Sequence, residues 1–320
     1  MTSGAETFHL TGLAGLGADR LRELLTAARE MGKSPPERSL EGRVVALMFF
    51  EDSTRTRASF SIAAKKLGSD VFELAGKGSS ASKGETLADT ARTIEAMGVD
   101  AIVVRVSESG APRGMAQHVD CPIISAGDGR HAHPTQGLLD LLTFAEAHGR
   151  ADTFDLSGLT LAIVGDLNSS RVFRSDVAGF SQLGAEVIAV GPPSMAPGSL
   201  EAIGCRVERD LDAALEQADG VQMLRVQFER GAGTSMASVR EYRAGYALTL
   251  ERARRMKPGS VVMHPGPMNR GIELDHDVAE GPTEREPDLP RPIILEQVAA
   301  GVRVRMAVLQ DLVMRSDARR

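Results

Sequence analysis

Val44-Val45-Ala46-Leu47-Met48-Phe49-Phe50 runs straight into Glu51-Asp52-Ser53-Thr54-Arg55-Thr56-Arg57, and this junction decides the fold class. An unbroken apolar run, apolar on both faces of an extended chain, predicts a strand covered on both sides, as in a parallel sheet. Hydroxyl and basic residues then open a stretch of helical spacing over 56–67. The pattern repeats outward from there. Further strand-like runs are Ala101-Ile102-Val103-Val104, Pro122-Ile123-Ile124, Leu161-Ala162-Ile163-Val164, Val187-Ile188-Ala189-Val190, Val221-Gln222-Met223-Leu224 and Ser260-Val261-Val262-Met263. Helical stretches at 85–97, 135–148 and 172–183 lie between them. Strand and helix alternate, which predicts an α/β protein.

A polar break at 149–157 separates the early strands from the later ones and follows a long apolar helix able to bridge two sheets,. The expectation is two doubly wound parallel-sheet domains joined by long helices, one built from 1–136 plus 297–320 and the other from 137–296. Residues 275–292, rich in acidic side chains and proline, read as a surface loop, and 293–314 as an amphipathic C-terminal helix,.

Composition narrows the function classes. A 320-residue chain with 42% hydrophobic and 25% charged residues has enough apolar content to fold as two globular domains,. Its net charge of -6 offers no general attraction for nucleic acid or acidic membranes, so anion binding must come from locally placed basic groups,. Cys121 and Cys205 lack the spacing of a zinc site and read as reduced core thiols, consistent with a reducing cytoplasm,. Residues 1–17 lack a basic segment followed by a continuous apolar stretch, and the longest apolar run, 44–50, is too short to span a bilayer,. The expectation is a cytoplasmic protein with no membrane segment, no metal site and no cofactor.

In doubly wound folds ligands bind at the carboxyl ends of strands, where this chain concentrates its polar motifs. Ser53, Thr54, Arg55, Thr56 and Arg57 supply hydroxyls, guanidinium groups and helix-start amides, a compact cradle for an oxyanion,. The plainer alternative makes Ser53 an N-cap and the arginines solvated surface groups. Gly76-Lys77-Gly78-Ser79-Ser80-Ala81-Ser82-Lys83-Gly84-Glu85-Thr86 is small and basic and reads as a lid or as an ordinary Gly/Ser loop,. It fails the P-loop pattern because Lys83 precedes Gly84 and no hydroxyl residue follows the lysine,. Arg105 follows the strand at 101–104, and His133-Pro134-Thr135-Gln136 begins the long helix. A lone histidine there is as often structural as catalytic. Gly165-Asp166-Leu167-Asn168-Ser169-Ser170-Arg171 sits where a dinucleotide fingerprint would lie but lacks its glycines, which disfavours a nicotinamide oxidoreductase,. Arg225-Val226-Gln227 and His264-Pro265-Gly266-Pro267 end two later strands. Arg171 and Arg225 suit either bidentate carboxylate binding or domain-interface ion pairs.

With these motifs together, the chain from about Leu10 to Leu312 resembles the aspartate and ornithine carbamoyltransferase family. Ser53-Thr54-Arg55-Thr56-Arg57 paired with His133-Pro134-Thr135-Gln136 looks like that family's signature, and Arg225-Val226-Gln227 with His264-Pro265-Gly266-Pro267 looks like its aspartate branch. The resemblance implies that Ser53, Thr54, Arg55, Thr56 and Arg105 hold the phosphate of carbamoyl phosphate. It implies that Thr56, Arg105 and His133 polarise the carbamoyl oxygen, and that Gln136 with the carbonyls near Gly266 and Pro267 receives the carbamoyl amine. Arg171, Arg225 and Gln227 would take the carboxylates of L-aspartate. Ser79 and Lys83 would reach in from a neighbouring subunit of a homotrimer, Lys83 also towards aspartate. The resemblance leaves open whether such a trimer works alone, pairs with regulatory chains or assembles with dihydroorotase. Two departures stand out: Gly266 replaces a leucine between the prolines, and Ser82-Lys83 replaces a lysine pair. Rival expectations are a carbamoyltransferase for ornithine or a derivative, and a non-catalytic phosphate-binding subunit that kept the fold.

Overall fold

The computed structural model describes residues 8–34, 37–75, 85–226 and 238–318. The chain divides into two compact units, 1–142 with 299–320 and 143–298. Both cuts fall inside helices, Pro134–Ala147 and Ile294–Asp317. The boundaries expected from sequence, 136/137 and 296/297, lie in the same two helices.

Unit 1 begins with α1 (Ala18–Lys33) and continues as β1 (Val44–Phe49), α2 (Thr54–Lys66), β2 (Asp70–Ala75), α3 (Leu87–Ala96), β3 (Ala101–Val106), α4 (Ala111–Met115) and β4 (Ile123–Asp128). It closes with the first part of α5 (Pro134–Ala147). The strands form one parallel sheet in the order β2-β1-β3-β4. Ala46, Met48, Ile102, Val104 and Ile123 pack from one face of it against Ala91 and Ile94 of α3 and Met115 of α4. Every residue of β3 and β4 is buried, including the polar Arg105, Ser125 and Asp128.

Unit 2 holds β5 (Thr160–Val164), α6 (Arg171–Gln182), β6 (Glu186–Val190), β7 (Arg206–Glu208), α7 (Leu211–Gln217), β8 (Gly220–Met223), α8 (Val239–Tyr246), α9 (Leu250–Ala253), β9 (Val261–Met263), α10 (His276–Glu280) and β10 (Arg291–Pro292). Its six-stranded sheet runs β10-β9-β8-β5-β6-β7, and each pairing is parallel. The final helix α11 (Ile294–Asp317) supplies Ile294 to the unit 2 core beside Val221, Met223 and Val262.

Three expectations need correction. Residues 275–292 are not only loop, because they contain α10 and β10. Arg105 lies within β3 rather than after it, paired in register with Phe49 of β1. β2, β7 and β10 were not foreseen, and all three are edge strands whose exposed side breaks the apolar run that marks a buried strand,. β4 is also an edge strand, but its outer side is covered by Leu10, which bonds Ile123 and Ser125 at 2.9 and 2.8 Å. Cys121 and Cys205 are buried free thiols, and burial pushes Cys205 up to about 11.

Candidate functional site

Each sheet contains one place where the strand order reverses. In unit 1 the chain moves from β1 outward to β2 and then returns to the other side of β1 as β3. In unit 2 it moves from β5 through β6 to β7 and returns beside β5 as β8. At such reversals the connections leave the sheet in opposite directions and open a crevice at the carboxyl ends of the two central strands. The ends of β1 and β3 carry Ser53–Thr56 and Arg105, and the ends of β5 and β8 carry Arg171 and Arg225. Topology alone therefore selects these residues within each unit.

In unit 1 Ser53 occupies the N-cap position of α2, yet its side chain makes no capping hydrogen bond. Thr86, Ser170, Ser238 and Thr249 do cap their helices through their side chains. The plain N-cap reading of Ser53 is thus not met, and its hydroxyl and the first-turn amides remain available to an anion. Thr54 and Arg55 are exposed, and Ser53 and Thr56 half-buried. Arg57 turns to the surface, 3.9 Å from Glu73.

Arg105 is buried and held from behind. Its Nε donates to Glu51 Oε2 at 2.8 Å and its Nη1 to the Ala126 carbonyl at 2.8 Å, tying the ends of β1, β3 and β4 together. His133 precedes α5 and is buried, its carbonyl accepting from the amides of Gln136 and Gly137 at 3.0 and 3.1 Å. The loop leading to it is organised by Asp128, which accepts from the amides of Gly110 and Ala132 at 2.6 and 2.9 Å and pairs with His131 Nδ1 at 3.0 Å. Gln136 donates Nε2 to both oxygens of the buried Asp140, at 3.0 and 3.2 Å.

In unit 2 Arg171 is the first residue of α6 and is buried, whereas Arg225 is half-buried just past β8. Arg174, one turn along α6, donates to the carbonyls of Leu167, Asn168 and Ser170 at 3.3, 3.0 and 3.2 Å and so staples the loop before the helix. Gly165 has φ +139°, and a Cβ there would stand 3.0 Å from Leu224 Cβ, so glycine lets the two strand ends close up,.

The loop after β9 is fixed by buried polar groups. His264 Nδ1 accepts from the Gly266 amide at 2.8 Å, which leaves the ring proton on Nε2, facing Glu273 Oε1 at 3.3 Å,. The same carboxylate oxygen accepts from the Asn269 amide at 2.6 Å, and Asn269 Nδ2 donates to the Val226 carbonyl at 3.2 Å, joining this loop to the segment carrying Arg225. From the other side the His264 amide donates to Gln297 at 2.9 Å, Gln297 to Gln222 at 3.1 Å, and Gln222 to Asp176 of α6 at 2.8 Å. Tyr242 is buried nearby, its ionisation pushed well up by burial and then by the charges of Glu273 and Asp166.

Ser79, Lys83 and Gln227 lie outside the described residues. Gly266 and Pro267 sit in the fixed loop, Gly266 with φ +69°. Glu51, Asp140, Asp176, Gln222, Glu273 and Gln297 were not foreseen as parts of the site. Gln222 carried a usable signal, a polar residue inside the buried run Val221-Gln222-Met223-Leu224. The others carried none. Among the described residues no group of three or more His, Cys, Asp or Glu could hold a metal ion, and no helix is long and apolar enough to cross a membrane.

Comparison with known proteins matches both units. Residues 9–146 match the aspartate/ornithine carbamoyltransferase carbamoyl-P binding domain, and 157–312 the Asp/Orn binding domain of the same family. The aspartate carbamoyltransferase catalytic subunits of Myxococcus xanthus and Salinispora arenicola are each 49% identical to this chain, covering 94% and 97% of it and 98% and 96% of their own lengths. Aspartate transcarbamoylase from Trypanosoma cruzi, in complex with carbamoyl phosphate and aspartate, superposes with a TM-score of 0.82 at 28% identity, covering 97% of this chain and 98% of its own. Ornithine carbamoyltransferase from Thermus thermophilus superposes nearly as well, TM-score 0.80 at 27% identity over 95% and 98%, so the fold does not separate the two branches. With both domain models matched and relatives at 49% identity across nearly the whole length, the chain belongs to the aspartate/ornithine carbamoyltransferase family.

Proposed function

We propose that the protein is an aspartate carbamoyltransferase, joining the carbamoyl group of carbamoyl phosphate to the α-amine of L-aspartate to give N-carbamoyl-L-aspartate and phosphate, a step of pyrimidine synthesis. The observation that carries this is the pair Arg171 and Arg225 at the strand-order reversal of unit 2. Two guanidinium groups suit the two carboxylates of aspartate and disfavour the cationic side chain of ornithine. The names of the 49% identical relatives point the same way.

In this reading Ser53, Thr54, Arg55, Thr56 and Arg105 bind the phosphate. Thr56, Arg105 and His133 stabilise negative charge on the carbamoyl oxygen as the amine attacks. Gln136 and the carbonyls near Gly266 and Pro267 receive the carbamoyl nitrogen, and Gln227 joins the two arginines around aspartate. Ser79 and Lys83 act from the neighbouring subunit of a cytoplasmic homotrimer. Positioning two bound anions for attack contributes about 7–11 kcal/mol, and each strong oxyanion donor about 3–4 kcal/mol. The departing phosphate takes up the amine proton.

The test is an assay of the purified protein with carbamoyl phosphate and either aspartate or ornithine, scoring which ureido product forms. Carbamoyl-aspartate is expected, and turnover with ornithine alone overturns the assignment. Mixed trimers of Arg55→Ala and Lys83→Ala subunits are expected to regain activity through shared sites.

A further inference from the structure

Behind Gln136 lie two buried charged residues, Asp140 and Arg305, that the roles above leave unused. Asp140 is fully buried one turn along α5, and both of its carboxylate oxygens lie within hydrogen-bond distance of the Gln136 amide nitrogen. Arg305 of α11 is buried with it. Its Nη1 donates to the Gly301 carbonyl at 2.9 Å, and its guanidinium carbon lies 5.1 Å from the ring centroid of Phe60, on the helix whose first turn is the Ser53–Thr56 cradle. Burial lowers Arg305 to about 10, and the Asp140 charge opposes that fall. The space is made by Gly301, where a Cβ would stand 2.5 Å from Arg305 Nη1 and 3.2 Å from Leu139 Cδ2.

We propose that Asp140, with the buried charge of Arg305 favouring its ionised form, fixes the orientation of the Gln136 amide and thereby makes the site select an acyl phosphate bearing an NH2 group over one bearing a methyl group. An ionised carboxylate only accepts hydrogen bonds, so the NH2 end of Gln136 must face Asp140 and the carbonyl end must face away. Among the described residues nothing donates to that Oε1. The buried guanidinium of Arg305 favours the ionised form of Asp140. If Asp140 were neutral, its OH could donate to Gln136 instead, and the amide could turn its NH2 end outward. It would then meet the NH2 of a carbamoyl group donor to donor and lose its preference against a methyl group. Asp140 and Arg305 act through Gln136 and are positioning residues. This rests on the reading of Gln136 as the carbamoyl nitrogen acceptor, so the test measures binding, without an acceptor substrate.

Dissociation constants of carbamoyl phosphate and acetyl phosphate are measured by calorimetry on the wild-type trimer and on Asp140→Asn. The wild type is expected to prefer carbamoyl phosphate. In Asp140→Asn, where either end of the new amide can face Gln136, the preference is expected to fall about fivefold to tenfold, ~1–1.4 kcal/mol, chiefly through weaker carbamoyl phosphate binding. Asp140→Leu with Arg305→Met removes both buried charges and serves if the single variant does not fold; the same loss of preference is expected. A purely structural pair would weaken both ligands together, and a preference unchanged within about twofold in the folded variant overturns the inference. A wild type that binds neither phosphate overturns the functional reading, and this inference with it. Tight carbamoyl phosphate binding without turnover on aspartate would count against the acceptor assignment alone.

Discussion

Replacing Gln222 by leucine tests whether the buried polar chain of unit 2 both supports the fold and aims the site. Gln222 is fully buried in β8, where Nε2 donates to Asp176 at 2.8 Å and Oε1 accepts from Gln297 at 3.1 Å. Leucine has a similar volume, so the cavity term is small. What is lost is two hydrogen bonds, and Asp176 and Gln297, both buried, each give up a partner. A buried neutral donor left short costs about 1–3 kcal/mol and a carboxylate more, against about 1 kcal/mol regained from the added apolar surface. The net destabilisation is about 3 kcal/mol. With a urea m-value of ~2 kcal/mol/M this moves the midpoint of the unit 2 transition down by roughly 1.5 M. The site should respond as well, because Asp176 lies on the helix that begins with Arg171, and Gln297 holds the His264 amide. The expected kinetic result is a raised KM for aspartate with carbamoyl phosphate affinity nearly unchanged. A midpoint shift under about 0.3 M, or equal loss of affinity for both substrates, would refute the reasoning.

Other substitutions probe separate elements. Gly129 has φ +44°, and a Cβ there would meet the Ser107 carbonyl oxygen at 2.7 Å and the Ser109 amide at 2.9 Å; Gly129→Ala should cost about 2 kcal/mol or more in urea melts, since backbone cannot step aside cheaply,. A Cβ at Gly220 would stand 2.7 Å from Phe144 Cε2, so Gly220→Ala should cost about 1–3 kcal/mol, and adding Phe144→Leu should recover part of it, seen as a coupling in a double-mutant cycle,. Burial lowers His148, with Asp219 opposing; a folded pKa below the ordinary 6.5 means stability present above 6.5 and lost as pH falls towards the folded value,. The denaturation midpoint of the wild type should therefore fall more on acidification than that of His148→Phe.

How legible each part was in the sequence follows from how local its physics is. β1, β3, β5, β6, β8 and β9 are covered by neighbours on both sides, so each shows an apolar run, while β2, β7 and β10 are edges and show none,. The strand end and helix start around Ser53–Thr56 were readable because β1 and α2 follow each other directly and place these polar groups side by side in the sequence. Asp140 and Arg305 are far apart in the chain, and in α11 Arg305 looks like any charged residue of an amphipathic helix. Its burial is decided by Gly301, Phe60 and Asp140, which only the folded chain brings together.

The buried polar groups of both units stand beside the residues proposed to face ligand, and stability is a poor reason for them to be there. A buried ion pair replaced by packed apolar side chains is often neutral or better, because desolvation offsets most of the attraction. Orientation is the stronger reason. Arg105, bonded at Nε to Glu51 and at Nη1 to Ala126, has little side-chain freedom left to lose when an anion arrives, whereas a free arginine gives up about 1 kcal/mol or more of rotamer entropy on binding,. Gln136 against Asp140 and the His264 loop against Glu273 and Gln297 follow the same logic. In the proposed binding of small anions, such fixed donors contribute more than additional contacts would, because each fixed group offers its full bond strength without a compensating loss of freedom.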